Sequence, residues 1–211
     1  MTIGFVVYSD YLCPWCFNAF VRLCRIEEEY GEKVAFDWRG YLLRPNPRRR
    51  SGGRSSLDEF RRYTESWRRP GSEADAGEFG AWEDASPPSH SVPAQVAARA
   101  AASYGREKFR RFQRELFSSY FSQCRDISSG SVLSECWELA NLPREGFPEL
   151  DDPDRVQSVL EDHREALDYG ATGVPGVRLR DNPAIVVGAQ PVEVYRRWVD
   201  RQLSRSTVAE S

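Results

Sequence analysis

At 211 residues, with 40% hydrophobic, 12% aromatic and 29% charged side chains, the chain has the composition of one globular domain, or of one domain carrying a large insertion. A formal net charge of -3 gives no general case for nucleic-acid binding, and no run of about 18 or more apolar residues points to a membrane span. The start lacks the basic stretch and long apolar run of a signal peptide, so the expected compartment is the cytoplasm, where five cysteines read as thiols rather than a structural disulfide framework.

Ile3 to Tyr8 reads as a buried strand. Phe17, Phe20, Val21 and Cys24 then recur at helical spacing, up to a stop near Gly31. Val34 to Leu43 opens with Val34, Phe36 and Trp38 in alternation, which predicts a second strand, parallel to the first through the helical crossover. From Arg44 the chain turns polar. The cluster Arg48-Arg49-Arg50 with Arg54 reads as a solvated loop, the alternative being a patch for an anionic partner. Ser56-Leu57-Asp58-Glu59 matches a capping box, and Pro70 to Pro88 predicts a long irregular connection.

Helical stripes resume at Val92 and run in pieces to about Tyr169, including Phe109, Phe112, Leu116, Tyr120 and Phe121, then Val132, Leu133, Cys136, Leu139 and Ala140. The end returns to β character. Val177 to Leu179 and Ala184 to Val187 predict short strands, and Gln190-Pro191 opens a last helix, with proline where a missing N–H does no harm. The fold class is therefore α/β, in the order β-α-β, helical block, β-β-α. Residues 1–45 and 170–211 would form the α/β part, and 46–169 a mostly helical insertion.

The stretch Ser9-Asp10-Tyr11-Leu12-Cys13-Pro14-Trp15-Cys16 carries the chemistry. A strand that delivers C-x-x-C to a helix N-terminus places the first thiol where free amides and the helix dipole favour its thiolate, the species that attacks disulfides. Cys13 is expected to be the exposed nucleophile and Cys16, one turn on, the more buried resolving thiol. Structural zinc sites also begin with C-x-x-C, but the second pair that would close one is missing from the sequence, and His90 and His163 stand alone; no metal is expected. Cys24 lies eight helical residues from Cys16, about 12 Å, beyond the roughly 7 Å a disulfide spans. Cys24, Cys124 and Cys136 all extend apolar helical stripes and read as inert core thiols, with a second redox pair of Cys124 and Cys136 as the alternative.

With Gly173-Val174-Pro175, Cys124-Arg125-Asp126-Ile127-Ser128 and Gly188-Ala189-Gln190-Pro191, the C-P-W-C stretch resembles the DsbA family of thioredoxin-fold proteins, in its cytoplasmic FrnE-like branch. The resemblance covers nearly the full length and is weakest between Pro70 and Pro88. It implies a thioredoxin fold interrupted by a helical insertion, with Cys13 and Cys16 as the redox pair. Pro175 would be the cis-proline facing that pair, and Val174 the residue whose backbone bonds an extended substrate beside Pro14 and Trp15. Two departures stand out: Gly176-Val177 replaces a polar residue and an aromatic, and Cys124 stands where relatives commonly carry glycine. Trp15, in place of the histidine of periplasmic oxidants, offers the thiolate no cationic partner, and Asp10 would mildly oppose ionisation if close. The dithiol should therefore be less oxidising than theirs.

The implied function is a thiol–disulfide oxidoreductase working through a mixed disulfide on a protein or small-molecule disulfide or dithiol. It needs no cofactor unless glutathione serves as redox partner, and neither nucleic acid nor membrane is expected as a partner. The alternative is a glutathione-dependent isomerase or transferase acting on a small aromatic compound, against which the intact C-P-W-C counts. A third reading is a non-catalytic binding protein or chaperone using the surface around Trp15 and Pro175.

Overall fold

The computed structural model describes residues 2–47, 54–82 and 87–209. Strand β1 (Ile3–Ser9) pairs in parallel with β2 (Val34–Gly40), Ile3 opposite Val34. Helix α1 (Pro14–Tyr30) makes the crossover between them. On its other edge β1 pairs antiparallel with β3 (Gly176–Leu179), which carries the two-residue β4 (Val186–Val187), giving the order β2-β1-β3-β4. Helix α8 (Val192–Ala209) closes the chain, starting just after Pro191, whose carbonyl accepts the Val194 N–H at 2.9 Å. Between β2 and β3 run α2 (Arg54–Glu65), a single turn α3 (Arg68–Gly71), α4 (Val92–Ala102), α5 (Arg106–Phe117), α6 (Gly130–Leu139) and α7 (Pro153–Asp168).

Successive side chains of β1 point to opposite faces, and both faces are covered. Phe5 and Val7 pack with Leu23 and Ile26 of α1 and Tyr195 and Val199 of α8. Val6 and Tyr8 pack with Ala166 of α7 and with Ala171. Helix α1 has a second apolar side, where Phe17, Phe20 and Cys24 enter a larger core built with α4, α5 and α6. There the Phe17 ring stacks on Phe117 at 5.2 Å and on Phe121 at 5.6 Å. One helix thus serves two cores.

Several local expectations are corrected. Strand β2 stops at Gly40, not Leu43: the Tyr41 N–H still reaches the Ser9 carbonyl at 2.9 Å, but the donors after it turn to side chains, Leu42 N–H to His163 Nδ1 at 3.2 Å and Leu43 N–H to Asp10 Oδ2 at 2.6 Å. Strand β4 is shorter than 184–187, since the Ala184 N–H is taken by the Asn182 side chain at 2.8 Å. Helix α2 already includes Arg54, so Ser56 lies inside it rather than capping it. The Arg48-Arg49-Arg50 cluster lies outside the described residues.

The Pro70–Pro88 connection is irregular after α3 but firmly tied in. Arg22, buried in α1, holds Asp75 at 2.6 Å and donates to the carbonyls of Ala189 and Gln190. Asn18 donates to the Pro70 carbonyl at 2.9 Å. At Gly77 a Cβ would stand 2.2 Å from the Phe17 ring, so only glycine lets the backbone pass. Leu139 falls off its expected stripe at 60% exposed. Cys124 does too: it follows the π-helical turn Ser118–Ser122 with φ 54°, reversing the chain so that Arg125 N–H returns to Ser119 O at 2.8 Å. A left-handed position after a helical end is where glycine costs least, so Cys124 holds this conformation at a cost that glycine would not carry.

Candidate functional site

The C-P-W-C stretch begins where β1 ends. Asp10 follows Ser9 and is wholly buried, and its carboxylate joins three segments. It accepts the Leu12 N–H at 2.8 Å from its own loop and the Leu43 N–H at 2.6 Å from the exit of β2. It also accepts the Ser91 hydroxyl at 2.6 Å from the head of α4, and Ser91 Oγ in turn accepts the Arg44 N–H at 3.2 Å. Burial raises the Asp10 carboxyl to about 6, a rise that these hydrogen bonds restrain. The same residue's carbonyl accepts the Cys13 N–H at 3.0 Å. The loop that presents the cysteines is therefore fixed by a charge-assisted junction rather than by its own sequence alone.

Cys13 is the N-cap residue of α1, in extended conformation, and Pro14 occupies the first turn. The Cys13 carbonyl takes the N–H groups of Cys16 at 3.0 Å and Phe17 at 3.3 Å, which starts the helix and sets the second thiol one turn behind the first. From the far end of the chain, the Val174 carbonyl lies 3.4 Å from Cys13 Sγ, accepting its S–H, and the Val174–Pro175 peptide is cis. The segment is steadied from behind by Gly188 N–H donating to Pro175 O at 2.7 Å. Six residues singled out from sequence, Cys13, Pro14, Trp15, Cys16, Val174 and Pro175, thus meet at one place.

Their exposures differ from expectation in one respect. Cys13 is the more accessible of the two thiols but is only 5% exposed, against 0% for Cys16. Burial pushes the Cys16 thiol well above its ordinary value, with the adjacent Cys13 adding to the effect. Cys24 is buried on the other side of α1, its thiol raised to about 12 by burial and by Glu27. Cys136 is buried with its sulfur 3.2 Å from the Ser119 hydroxyl, and Cys124 is half-buried.

The insertion supplies what sequence reasoning missed. Arg69 of α3 places its guanidinium 5.7 Å from the centre of the half-buried Trp15 ring. Tyr63 of α2, still 43% exposed, packs on Phe60 and Trp67. The Asp10 junction spans 33 residues to Leu43 and 81 to Ser91, so no local pattern marks it. The arrangement can hold a sulfur at a helix N-terminus beside an open backbone carbonyl, with a second sulfur in reserve one turn behind.

A family model described as a DSBA-like thioredoxin domain matches residues 5–199. The chain belongs to that family. Among solved structures, a candidate protein disulfide isomerase from Nitrosomonas europaea is similar at a TM-score of 0.77, with 16% identity, covering 97% of this chain and 99% of that one. The cytosolic disulfide reductase DsbM from Pseudomonas aeruginosa is similar at 0.75, with 19% identity over 95% of this chain and 98% of its own. The same reductase with GSH gives 0.76, again at 19% identity, covering 95% and 99%. At these identities the likeness is one of fold. A curated relative, the uncharacterized protein YwbO of Bacillus subtilis (strain 168), is 44% identical over 48 residues, so the match spans 22% of either chain. Among the described residues no helix is long and apolar enough to cross a membrane.

Proposed function

We propose that the protein is a thiol–disulfide oxidoreductase acting through the Cys13–Cys16 dithiol/disulfide. The observation that carries this reading is the placement of Cys13 as N-cap of α1, its sulfur 3.4 Å from the Val174 carbonyl, with Cys16 buried one turn on. In the reducing direction the Cys13 thiolate attacks a substrate disulfide, forming a Cys13–substrate disulfide and releasing one substrate thiolate. Cys16 then attacks Cys13, closing the Cys13–Cys16 disulfide and releasing the second thiolate, so two electrons pass to the substrate. Val174 holds an extended substrate through its backbone, with Pro14, Trp15 and Pro175 framing the reacting sulfur.

The substrates are protein or small-molecule disulfides and dithiols. Glutathione is the recycling thiol in this reading, two molecules reducing the Cys13–Cys16 disulfide; it is supported by the family and by a similar fold captured with GSH. In the cytoplasm, the proposed compartment, that favours reduction or isomerisation over net oxidation. Equilibration in glutathione redox buffers is expected to give one reversible two-electron couple, abolished by Cys13→Ala, while Cys16→Ala accumulates a mixed disulfide. Absence of a reversible couple in the native protein would overturn the proposal. Isomerase turnover that survives Cys16→Ala unchanged would favour a glutathione-dependent isomerase instead.

A further inference from the structure

The single turn α3 carries charge to the cysteine site, and it is clamped at both ends. Trp67, just before it, is 2% exposed in the aromatic core, and Pro70 within it is buried, its carbonyl taken by Asn18 of α1 at 2.9 Å. The Gly71 N–H returns to the Trp67 carbonyl at 2.8 Å, and beyond the turn Asp75 is held by the buried Arg22 of α1. Between the clamps Arg68 and Arg69 are exposed. The fold therefore fixes the backbone of Arg69 against the same helix whose N-terminus carries Cys13.

The Arg69 guanidinium lies over the Trp15 ring, 5.7 Å from its centre. Contact with a ring face leaves the N–H donors of a guanidinium without an oxygen acceptor. Among the described residues, none gives the Arg69 side chain an ion pair or a hydrogen bond. The carboxylates that follow α3, Glu73 and Asp75, both bind Arg22, and the Asp10 carboxylate of the cysteine loop is engaged by Leu12, Leu43 and Ser91. The chain as a whole carries a net charge of -3, so this cation is a local exception beside the reacting thiol. A substrate that reaches Cys13 thus meets two different readers. The Val174 carbonyl, 3.4 Å from the sulfur, accepts from any backbone, whereas the half-buried Trp15, two residues on from Cys13, presents a ring and a charge.

We propose that Arg69 is a specificity-determining residue that selects disulfides carrying a carboxylate a few bonds from the reacting sulfur. The inference rests on the proposed role of Cys13. Trp15 supports the guanidinium, and the guanidinium pairs with the substrate carboxylate through its N–H groups. A low-molecular-weight thiol bearing a carboxylate and an acidic residue next to cysteine in a peptide share this chemistry. The covalent step is the one already described: the Cys13 thiolate bonds to one substrate sulfur, the substrate S–S bond breaks, and the other sulfur leaves with the electron pair.

The experiment compares two aromatic disulfides against the reduced protein, in a Cys124→Ser background so that the half-buried thiol adds no signal. 5,5′-Dithiobis(2-nitrobenzoate) carries a carboxylate on each half, and 2,2′-dithiodipyridine carries none. The neutral reagent reports how nucleophilic Cys13 is, so the ratio of the two first-release rates isolates recognition of the anion. Arg69→Gln is expected to lower that ratio about fivefold, the upper range for an exposed charge pair. Arg69→Glu should lower it further, and Arg69→Lys should keep most of it. Added salt should bring the native ratio down toward that of Arg69→Gln. An unchanged ratio in both Arg69→Gln and Arg69→Glu overturns the assignment. A first release that persists in Cys13→Ala overturns the prior reading of Cys13 instead. Glutathione disulfide against cystamine, and an Asp-Cys against a Lys-Cys peptide disulfide, separate the two sources. An Arg69-dependent preference within the first pair assigns a small thiol, and within the second an acidic peptide; a preference in neither overturns the proposal.

Discussion

Replacing Asp10 by asparagine removes the one wholly buried carboxylate that anchors the cysteine loop, and the effect on stability is calculable from its surroundings. An ordinary aspartate titrates at 3.8, whereas Asp10 in the fold titrates at about 6, chiefly because burial disfavours its charge. The folded state therefore binds the proton more tightly than the unfolded chain does. The contribution is fully present below 3.8, is lost as pH rises from 3.8 through about 6, and is constant above that. The gap corresponds to about 3 kcal/mol across this window. Asparagine cannot ionise, so Asp10→Asn should lack that decline. Its amide also mismatches the junction: one oxygen can serve Leu12, but the NH₂ group must then confront the Leu43 N–H donor, leaving it unpaired at a cost of about 1–3 kcal/mol. Urea unfolding of both reduced proteins from pH 4 to pH 8 tests the reasoning, because other titrating groups cancel in the difference between them. The stability of Asp10→Asn relative to the native protein should rise by about 2.4 kcal/mol over that range, since a small part of the loss lies below pH 4. A difference that stays flat with pH would refute the assignment of a buried, proton-binding carboxyl to this position.

Other outcomes follow from packing and charge. Arg22→Ala leaves Asp75 only the longer Arg25 contact at 3.8 Å and removes the donor to the Ala189 and Gln190 carbonyls, and should cost about 3 kcal/mol in urea unfolding. The pairing lowers the Asp75 carboxyl, so its contribution is present above the ordinary value of 3.8 and is lost as pH falls through the folded value; the native protein should lose the advantage over Arg22→Ala in acid. Gly77→Ala drives a methyl into the Phe17 ring and should destabilise by about 1–3 kcal/mol, read as a lower unfolding midpoint at unchanged slope. Trp15→His puts a cationic ring beside the dithiol and should raise the reduction potential by roughly 30 mV for each 1.4 kcal/mol of preference for the reduced form. A potential that is unchanged or lowered in glutathione buffers would refute the stabilisation of the reduced form by a cationic ring at position 15.

Much of the fold is legible because it is local. An almost unbroken apolar run marks Ile3–Tyr8 as a buried strand, and the 3.6-residue stripe marks α1 and most of the helices between β2 and β3. The site is legible where chemistry needs a short spacing, as at Cys13-Pro14-Trp15-Cys16, or where a resemblance supplies the distant partner, as at Val174-Pro175. The rest depends on residues that meet only after folding. Ser91 carries no sign that its hydroxyl will reach Asp10, nor Arg69 that it will sit over Trp15. Cys124 shows the opposite error: its neighbours suggest a helical stripe, but the π-helical turn before it exhausts the helix and leaves it in a left-handed conformation. Periodicity reports which face a residue would take if the helix continued, not whether it does continue.

Because α1 presents Leu23 and Ile26 to the sheet and Phe17, Phe20 and Cys24 to the insertion, it is a party wall between two rooms. An engineer who wished to pare the protein down to its sheet and flanking helices would find that wall papered with aromatic rings on its far side. Excision would have to be accompanied by repainting Phe17, Phe20 and Cys24 in polar colours. It would also need a new holder for the Asp10 carboxylate, since Ser91 would leave with the demolished half.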